Sequence, residues 1–176
     1  KLAVEMALDA YERAYGLRSV ALRYFNACGS DPDGVLGEDH DPETHLIPAA
    51  ILASLGRTPP MTIFGDDYDT PDGTCVRDYV HVMDLAQAHL LAIRTLREGQ
   101  KSRKFNLGNG TGFSVKQVIE TVERATGRTV PRSMGPRRAG DPARLVASSD
   151  RIKRELGWSP QYADLETIVR HAARWF

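Results

Sequence analysis

The strongest constraint on the fold is an apolar run over residues 19–25 (SVALRYF), which follows a helical pattern over residues 1–15. Such a run, without polar alternation, is typical of a parallel strand that is buried on both faces. Apolar side chains in residues 1–15 recur at three- and four-residue spacing and Gly16 ends the pattern, which predicts a well-buried helix. A helix followed by such a strand is half of a βαβ unit, so the chain is predicted to be an α/β protein.

The remaining chain continues this alternation of strands and helices. Ser114 and Gln117 have the spacing of a capping box, which predicts a helix that runs to residue 126. Short strand patterns cover residues 61–64, 76–82 and 104–107, and further helical patterns cover residues 45–55, a long stretch opened by Asp84, residues 149–156 and residues 164–176.

The start of the chain and the predicted sheet indicate that further sequence completes the fold. No Ser, Thr, Asp or Asn precedes the helix over residues 1–15, although helix starts favour such caps. The strand over residues 19–25 needs neighbours on both edges, and the sequence offers few. We therefore expect a larger fold cut inside a helix, or a second chain that supplies the missing half.

The charge balance argues against nucleic acid as a partner. Lysine plus arginine number 23 and aspartate plus glutamate also number 23, whereas a chain that binds phosphodiester backbones is usually basic. The nearest basic cluster, Arg132, Arg137 and Arg138, suits one small anion. No apolar run could span a membrane and no signal-peptide pattern is present, so a cytoplasmic protein is expected. Cys28 and Cys75 lack metal or redox spacing and are interpreted as reduced packing residues.

Three local patterns resemble ligand sites but are interpreted as structural. The turn over residues 108–112 (GNGTG) has its third glycine out of place for a dinucleotide loop, which favours a tight turn under the following helix. The aspartate-rich residues 66–72 lack the closing glutamate of a calcium loop, which favours a solvated loop. His40, Glu43 and His45 lack the one-turn histidine spacing of a helical zinc site, so no metal is expected.

Three segments together resemble the extended short-chain dehydrogenase/reductase superfamily, and within it the UDP-hexose 4-epimerases. They are residues 22–29 (LRYFNACG), residues 63–84 (IFGDDYDTPDGTCVRDYVHVMD) and residues 136–142 (PRRAGDP). Their order and spacing also match, and the DGT insertion before VRDY is the most specific feature. The resemblance runs from Lys1 to the last residues.

This resemblance implies a division of the chain into two parts. Residues 1–29 would be the last helix and strand of a truncated Rossmann-like domain with a parallel sheet. Residues 30–176 would form a smaller α/β domain that binds a UDP-sugar, with residues 76–110 returning to the Rossmann-like sheet. Members of the family are commonly homodimers, which makes a homodimer one expectation for the assembly.

The resemblance assigns four residues to the diphosphate and ribose. Arg77 and Arg138 would clamp the diphosphate, since a guanidinium pairs with phosphate oxygens through two charge-assisted hydrogen bonds. Asp141 would bind the ribose hydroxyls. Asn26 would hydrogen-bond the pyrophosphate or sugar side of the ligand, with a turn-forming role as the alternative.

Five further positions would surround the base and the hexose. Thr62 and Phe64 would frame the uracil, unless Phe64 is an ordinary core residue. His45 and Leu46 would line the sugar pocket, although many relatives have asparagine at the position of His45. Leu145 would lie where side-chain size governs entry of N-acetylated hexoses; a leucine there allows some tolerance, and a plain core leucine is the alternative.

For catalysis the resemblance implies NAD and a tyrosine that lies four residues before a lysine. The tyrosine would remove the proton of the sugar 4-hydroxyl while NAD takes the hydride and later returns it to the other face. Lys1 resembles the lysine, which places the tyrosine before this chain. Phe25 would contact the nicotinamide. Because no glycine loop for the cofactor pyrophosphate occurs, tight NAD binding is not expected and this chain alone should be inactive.

Two other interpretations remain open at this point. One is a nucleotide-sugar dehydratase or decarboxylase of the same superfamily, in which the DGT insertion over residues 72–74 would be unexpected. The other is a non-catalytic UDP-sugar-binding module that stands alone or completes a partner chain.

Overall fold

The structure is a computed structural model that describes the whole chain from Lys1 to Phe176. The predicted α/β class is confirmed, because short and mostly parallel strands alternate with helices along the chain. The helices are α1 (Leu2–Tyr15), α2 (Leu46–Ser54), α3 (Val82–Arg97), α4 (Val115–Thr126), α5 (Asp150–Leu156) and α6 (Leu165–Trp175). The strands are β1 (Val20–Arg23), β2 (Asn26–Cys28), β3 (Met61–Phe64), β4 (Val76–Arg77), β5 (Tyr79–His81), β6 (Arg103–Asn106), β7 (Phe113–Ser114), β8 (Arg132–Gly135) and β9 (Arg144–Leu145).

The strands form four small sheets. Parallel pairs join β1 to β6, β2 to β5 and β3 to β8, and β4 lies between antiparallel β7 and parallel β9. The predicted single strand over residues 76–82 is wrong in detail: Asp78 separates β4 from β5, and Val82 already belongs to α3. The register of β4 with β9 sets Arg77 opposite Leu145, so distant segments meet at this point.

The first helix forms as predicted, but the prediction that it is well buried is wrong. No residue of α1 is buried, and Leu2, Val4 and Met6 are exposed. Polar contacts hold α1 to the sheet instead, since Glu5 pairs with Arg23 of β1 and Asp9 Oδ2 accepts a hydrogen bond from Lys104 of β6 over 2.6 Å. The apolar pattern therefore predicted the helix correctly, but no other part of this chain covers its apolar side chains.

The strand over residues 19–25 is shorter and more open than predicted. Only Val20–Arg23 are in β1, no residue of the strand is fully buried, and Tyr24 and Phe25 are exposed. Only one edge of β1 is paired, to β6, while α3 packs against it. The expectation of burial on both faces is wrong for this chain, because the helix that packs on β1 does not fully bury any residue of the strand.

Two hydrophobic cores position the strands and the loops between them. The larger core joins α2, α4 and α6, with Ile51, Val118 and Ile168 at its centre. The smaller core packs Phe105 and Trp158 beneath α3 and β6, and the Trp158 indole donates to the carbonyl of Asp84 over 3.0 Å. Burial of such side chains is the main driving force for this arrangement.

Side-chain caps mark the starts of three helices, of which one cap was predicted from the sequence. The capping box of Ser114 and Gln117 is confirmed, and Asp164 caps α6 by accepting the amide of Thr167 over 2.9 Å. The long helix begins at Val82 rather than at Asp84, because the His81 ring accepts the amide of Met83 over 3.1 Å. No helix of the chain is both long and apolar enough to cross a bilayer.

Candidate ligand-binding site

A cavity of about 1090 Å³ lies where β2, β3, β4 and the start of α2 meet. The ends of parallel strands are where α/β folds usually bind ligands. Nine of the predicted site residues line this cavity: Phe25, Asn26, His45, Leu46, Thr62, Phe64, Arg77, Arg138 and Asp141. Lys1 and Leu145 do not line it.

Arg77 projects into the cavity from the end of β4 and is held on three sides. Its Nη2 donates to Asp141 Oδ1 over 2.8 Å, and its Nη1 donates to the carbonyls of Pro142 and Val76, each over 2.9 Å. The Arg77 side chain is 13% exposed. A guanidinium fixed in this way needs little reordering before it binds an anion.

Arg138 lies over the ring of Phe64 and forms no salt bridge. Its guanidinium carbon is 4.0 Å from the centroid of the Phe64 ring, which is cation–π geometry, and it has no carboxylate partner. The prediction of one anion site from three neighbouring arginines is wrong. Arg132 instead pairs with Glu123, and Arg137 pairs with Asp67.

Strand β3 presents a mixed polar and aromatic face to the same cavity. Thr62 and Phe64 alternate with Ile63, so they share one face while Ile63 enters the core. Phe64 is 38% exposed, which makes the interpretation of Phe64 as a core residue wrong. A flat ring beside a hydroxyl is suited to an aromatic base.

Asn26 is the first residue of β2, and its side chain ties this strand to the residue between β4 and β5. Its Nδ2 donates to the carbonyl of Asp78 over 2.8 Å. The buried Asp78 carboxylate in turn accepts the amides of Asn109 over 2.9 Å and Gly110 over 3.3 Å. Those amides are thereby used, so the glycine-rich turn is a structural turn around Asp78 and does not fit a pyrophosphate.

The start of α2 and the preceding loop close another side of the cavity. His45 is the residue before the helix, and its backbone amide donates to Glu43 Oε1 over 2.6 Å. Leu46 follows as the first residue of α2. Leu145 is partly buried in β9, opposite Arg77, which leaves it behind the cavity rather than in its wall.

Cys75 and Tyr79 also line the cavity, although the sequence analysis did not assign them to a site. Residues 75, 77 and 79 share one side of an extended segment, but Tyr79 is itself buried and the residues 75–79 (CVRDY) show no alternation of polar and apolar side chains, so the sequence carried no clear signal for them. Burial raises the pKa of the Cys75 thiol above its usual range, and burial also raises the pKa of the Tyr79 phenol. Both groups therefore face the cavity as neutral hydrogen-bonding groups.

The aspartate-rich loop is organised by Asp72 and is less solvated than predicted. Its carboxylate accepts the amide and hydroxyl of Thr74, over 2.8 and 2.7 Å, and the hydroxyl of Ser114. Burial by itself would raise the pKa of Asp72, but these hydrogen bonds lower it below its ordinary value. The loop thereby fixes the backbone just before β4 and Arg77.

Few of the chain's residues fit a dinucleotide. Phe25 lines the cavity and is 47% exposed, whereas the exposed Lys1 lies outside the lining. The glycine-rich turn donates the amides of Asn109 and Gly110 to Asp78. The residues present thus offer an exposed aromatic ring but no cradle for the phosphates of a dinucleotide.

Known proteins that this chain resembles in sequence and in structure include epimerases. A sequence model of the NAD dependent epimerase/dehydratase family matches residues 1–108. The UDP-glucose 4-epimerase of Halalkalibacterium halodurans is 55% identical over 175 residues, which are 99% of this chain and 52% of that protein. The chain thus spans about half the length of the curated relatives it matches.

Solved structures agree with this grouping. The UDP-glucose 4-epimerase of Brucella ovis in complex with NAD superposes with a TM-score of 0.95 at 53% identity, over 98% of this chain and 53% of that chain. The Bifidobacterium longum enzyme in complex with NAD+ and UDP superposes with a TM-score of 0.88 at 36% identity, over 97% of this chain and 51% of that chain.

Proposed function

This chain belongs to the NAD dependent epimerase/dehydratase family, and from that premise we propose that it forms the UDP-sugar-binding half of a UDP-glucose 4-epimerase. In the complete enzyme it would take part in the interconversion of UDP-glucose and UDP-galactose. The observation that supports this most directly is the grouping of two arginines, an aspartate and an aromatic face around one cavity.

The diphosphate would bind between Arg77 and Arg138. Arg77 is oriented by Asp141 and by two carbonyl groups, and Arg138 has no carboxylate of its own. Two guanidinium groups supply charge-assisted hydrogen bonds to phosphate oxygens. Arg77, which is already oriented, and Arg138, which has no carboxylate partner, would therefore bind the same diphosphate.

The uridine would extend along β3. Thr62 and Phe64 offer a polar group and a ring on one face of that strand, where a base could stack beside the Arg138 guanidinium. Asp141 uses Oδ1 for Arg77, and its second oxygen would accept hydrogen bonds from the ribose hydroxyls. The hexose would then point toward Asn26, His45 and Leu46.

The redox chemistry would be supplied by NAD, which family members carry, and the groups that cradle its phosphates would lie outside this chain. Lys1 and Phe25 are the residues here that we assign to the cofactor side, and tight NAD binding by this chain alone is not expected. Leu145 would influence the hexose only from behind the cavity wall, next to Arg77. The β1–β6 pairing supports the proposal that residues 76–110 return to the sheet begun by residues 1–29.

Calorimetric titration of this chain with UDP tests the binding proposal. We expect saturable UDP binding that falls at least about tenfold in Arg138→Ala, because one charge-assisted phosphate contact is worth about 1.5–3 kcal/mol. Arg137→Ala is the matched control, since the neighbouring arginine pairs with Asp67 and does not line the cavity. Equal losses in both variants, or stronger binding of dTDP than of UDP, would contradict the proposal.

A chimera tests the catalytic proposal. The part of the Halalkalibacterium halodurans relative that this chain does not match would be joined to residues 1–176, and conversion of UDP-galactose to UDP-glucose would be followed. We expect activity in the chimera, loss of most activity in its Arg77→Ala variant, and no activity in the 176-residue chain alone. A folded chimera that binds UDP and NAD yet is inactive would refute the assignment.

A further inference from the structure

Four metal-ligating side chains meet on the loop that leads into α2. Glu38, His40, Glu43 and His45 each place one ligand atom within 4.8 Å of those of the other three. Glu43 Oε1 lies 3.6 Å from the Nδ1 atoms of both His40 and His45. The histidine rings are nearly parallel, with centroids 5.1 Å apart and an interplanar angle of 18°.

Two of these separations are close to those of a tetrahedral metal site. Ligand atoms at about 2.0–2.2 Å from a zinc ion are separated from one another by roughly 3.4 Å. The two 3.6 Å distances around Glu43 differ little from this value, so modest rotations of exposed side chains would complete the tetrahedron. The sequence-based exclusion of a metal rested on helical histidine spacing, which does not apply because all four residues precede the helix.

The loop that carries these ligands is anchored at several points. Glu43 is the least exposed of the four side chains, at 9%, and its Oε1 also accepts the amide of His45. The carbonyl of Glu38 accepts the indole N–H of Trp175 over 2.8 Å. The His45 ring is hydrogen-bonded to the Glu38 carboxylate, and a metal ion would take the place of the shared proton. Anchoring of this kind lowers the cost of ordering the ligands when an ion binds.

We propose that Glu38, His40, Glu43 and His45 form a Zn²⁺ site at the rim of the cavity. Two imidazoles with two carboxylates favour zinc and similar divalent transition metals over Mg²⁺ and Ca²⁺, which prefer all-oxygen sites. Glu38, Glu43 and His45 also line the cavity, so the ion fixes residues 38–45 beside the start of α2. This inference does not depend on the proposed UDP-sugar function.

Cobalt absorption provides the direct test. The chelator-treated 176-residue chain is titrated with Co²⁺, and Zn²⁺ is then added to displace it. We expect one equivalent of Co²⁺ to give the visible absorption of a tetrahedral site without a thiolate charge-transfer band. Zn²⁺ abolishes that absorption, and calorimetry gives a one-to-one Zn²⁺ complex.

Single substitutions separate this site from adventitious binding. His40→Ala and Glu38→Gln each lower Zn²⁺ affinity at least about tenfold, since even the loss of groups outside the ligand set costs 10–100-fold. His89→Ala is the matched control, because His89 is an exposed histidine on α3 that belongs to no ligand cluster. Cys75→Ala is the control for the thiol in the cavity wall.

The possible results are mutually exclusive. Loss of the cobalt spectrum and of tight Zn²⁺ binding in His40→Ala, with His89→Ala and Cys75→Ala unchanged and circular dichroism unaltered, supports the site. Absence of a tetrahedral cobalt spectrum, or a complex that survives His40→Ala and Glu38→Gln but is lost in Cys75→Ala, overturns it.

Discussion

Arg77 Nη2 donates to Asp141 Oδ1 over 2.8 Å, and this ion pair ties the end of β4 to the segment before β9. Both residues face the cavity that we assign to the UDP-sugar. Asp141 therefore has two roles: it orients Arg77 through one oxygen, and it is proposed to accept ribose hydroxyls through the other.

Asp141→Asn separates these two roles. We expect it to lower UDP affinity by about tenfold, because a carboxylate that orients a cation and accepts a hydroxyl is worth about 1.5–3 kcal/mol. Inorganic pyrophosphate, which has no ribose, should lose less affinity. Calorimetry with both ligands checks this, and Asp67→Asn is the control because its partner Arg137 lies outside the cavity. Equal losses for the two ligands would remove the ribose contact from the proposal.

Stability should fall at mildly acidic pH because of His81. Burial and the neighbouring His171 lower the pKa of His81 from its ordinary value of 6.5 to about 4. The unfolded chain binds a proton below pH 6.5 while the folded chain does not, so the contribution of neutral His81 is complete above pH 6.5 and is lost as the pH falls toward 4. The loss is about 3 kcal/mol at most.

Urea unfolding between pH 6.5 and 4.5 measures this effect. His81→Asn is the comparison, because an asparagine at the start of α3 can still accept the amide of Met83 and does not titrate. The variant should be less stable at pH 7 but should lose less stability on acidification. Identical pH slopes would show that His81 is not the group responsible.

Gly29→Ala should destabilise the chain more than an alanine at another glycine of similar conformation. Gly29 has a φ of 77°, and a Cβ there would lie 2.6 Å from two atoms of the His81 ring. Gly56 has a φ of 71° with nothing within 4 Å of its Cβ position. We expect Gly56→Ala to cost about 1 kcal/mol for strain, and Gly29→Ala to cost about 1–3 kcal/mol more for overpacking. Denaturant unfolding of the two variants checks the difference, and equal costs would mean that the His81 ring moves freely.

Asp78→Ala should be among the most destabilising single substitutions in the chain. Its buried carboxylate accepts the amides of Asn109, Gly110 and Ala147, and its removal leaves these donors without a partner. We expect a loss of about 3–5 kcal/mol in the free energy of unfolding. Asp69→Ala, at an exposed aspartate, should change stability by less than about 0.5 kcal/mol. A small effect of Asp78→Ala would mean that water replaces the carboxylate.

The sequence determined those features that depend on local interactions. Ser114 and Gln117 satisfy the free amides of the same helix end, so their spacing alone predicted α4. The α/β class followed from strand patterns that alternate along the chain with helical patterns. The resemblance of three segments also named residues that the fold brings to one cavity, although the roles of those residues stay predictions.

The partner that each charged side chain takes is visible only in the folded chain. The sequence grouped Arg132, Arg137 and Arg138 by proximity along the chain, but Glu123 and Asp67 take two of them and leave Arg138 over Phe64. It also brought only His40, Glu43 and His45 into consideration, whereas the loop places Glu38 with them. Charge pairing depends on the path of the folded backbone, whether the partners are 70 residues apart, as Asp67 and Arg137 are, or 7 residues apart, as Glu38 and His45 are. Local periodicity carries no record of that path. The exposed face of α1 has the same cause, because an apolar pattern specifies a face to be covered but not the surface that covers it.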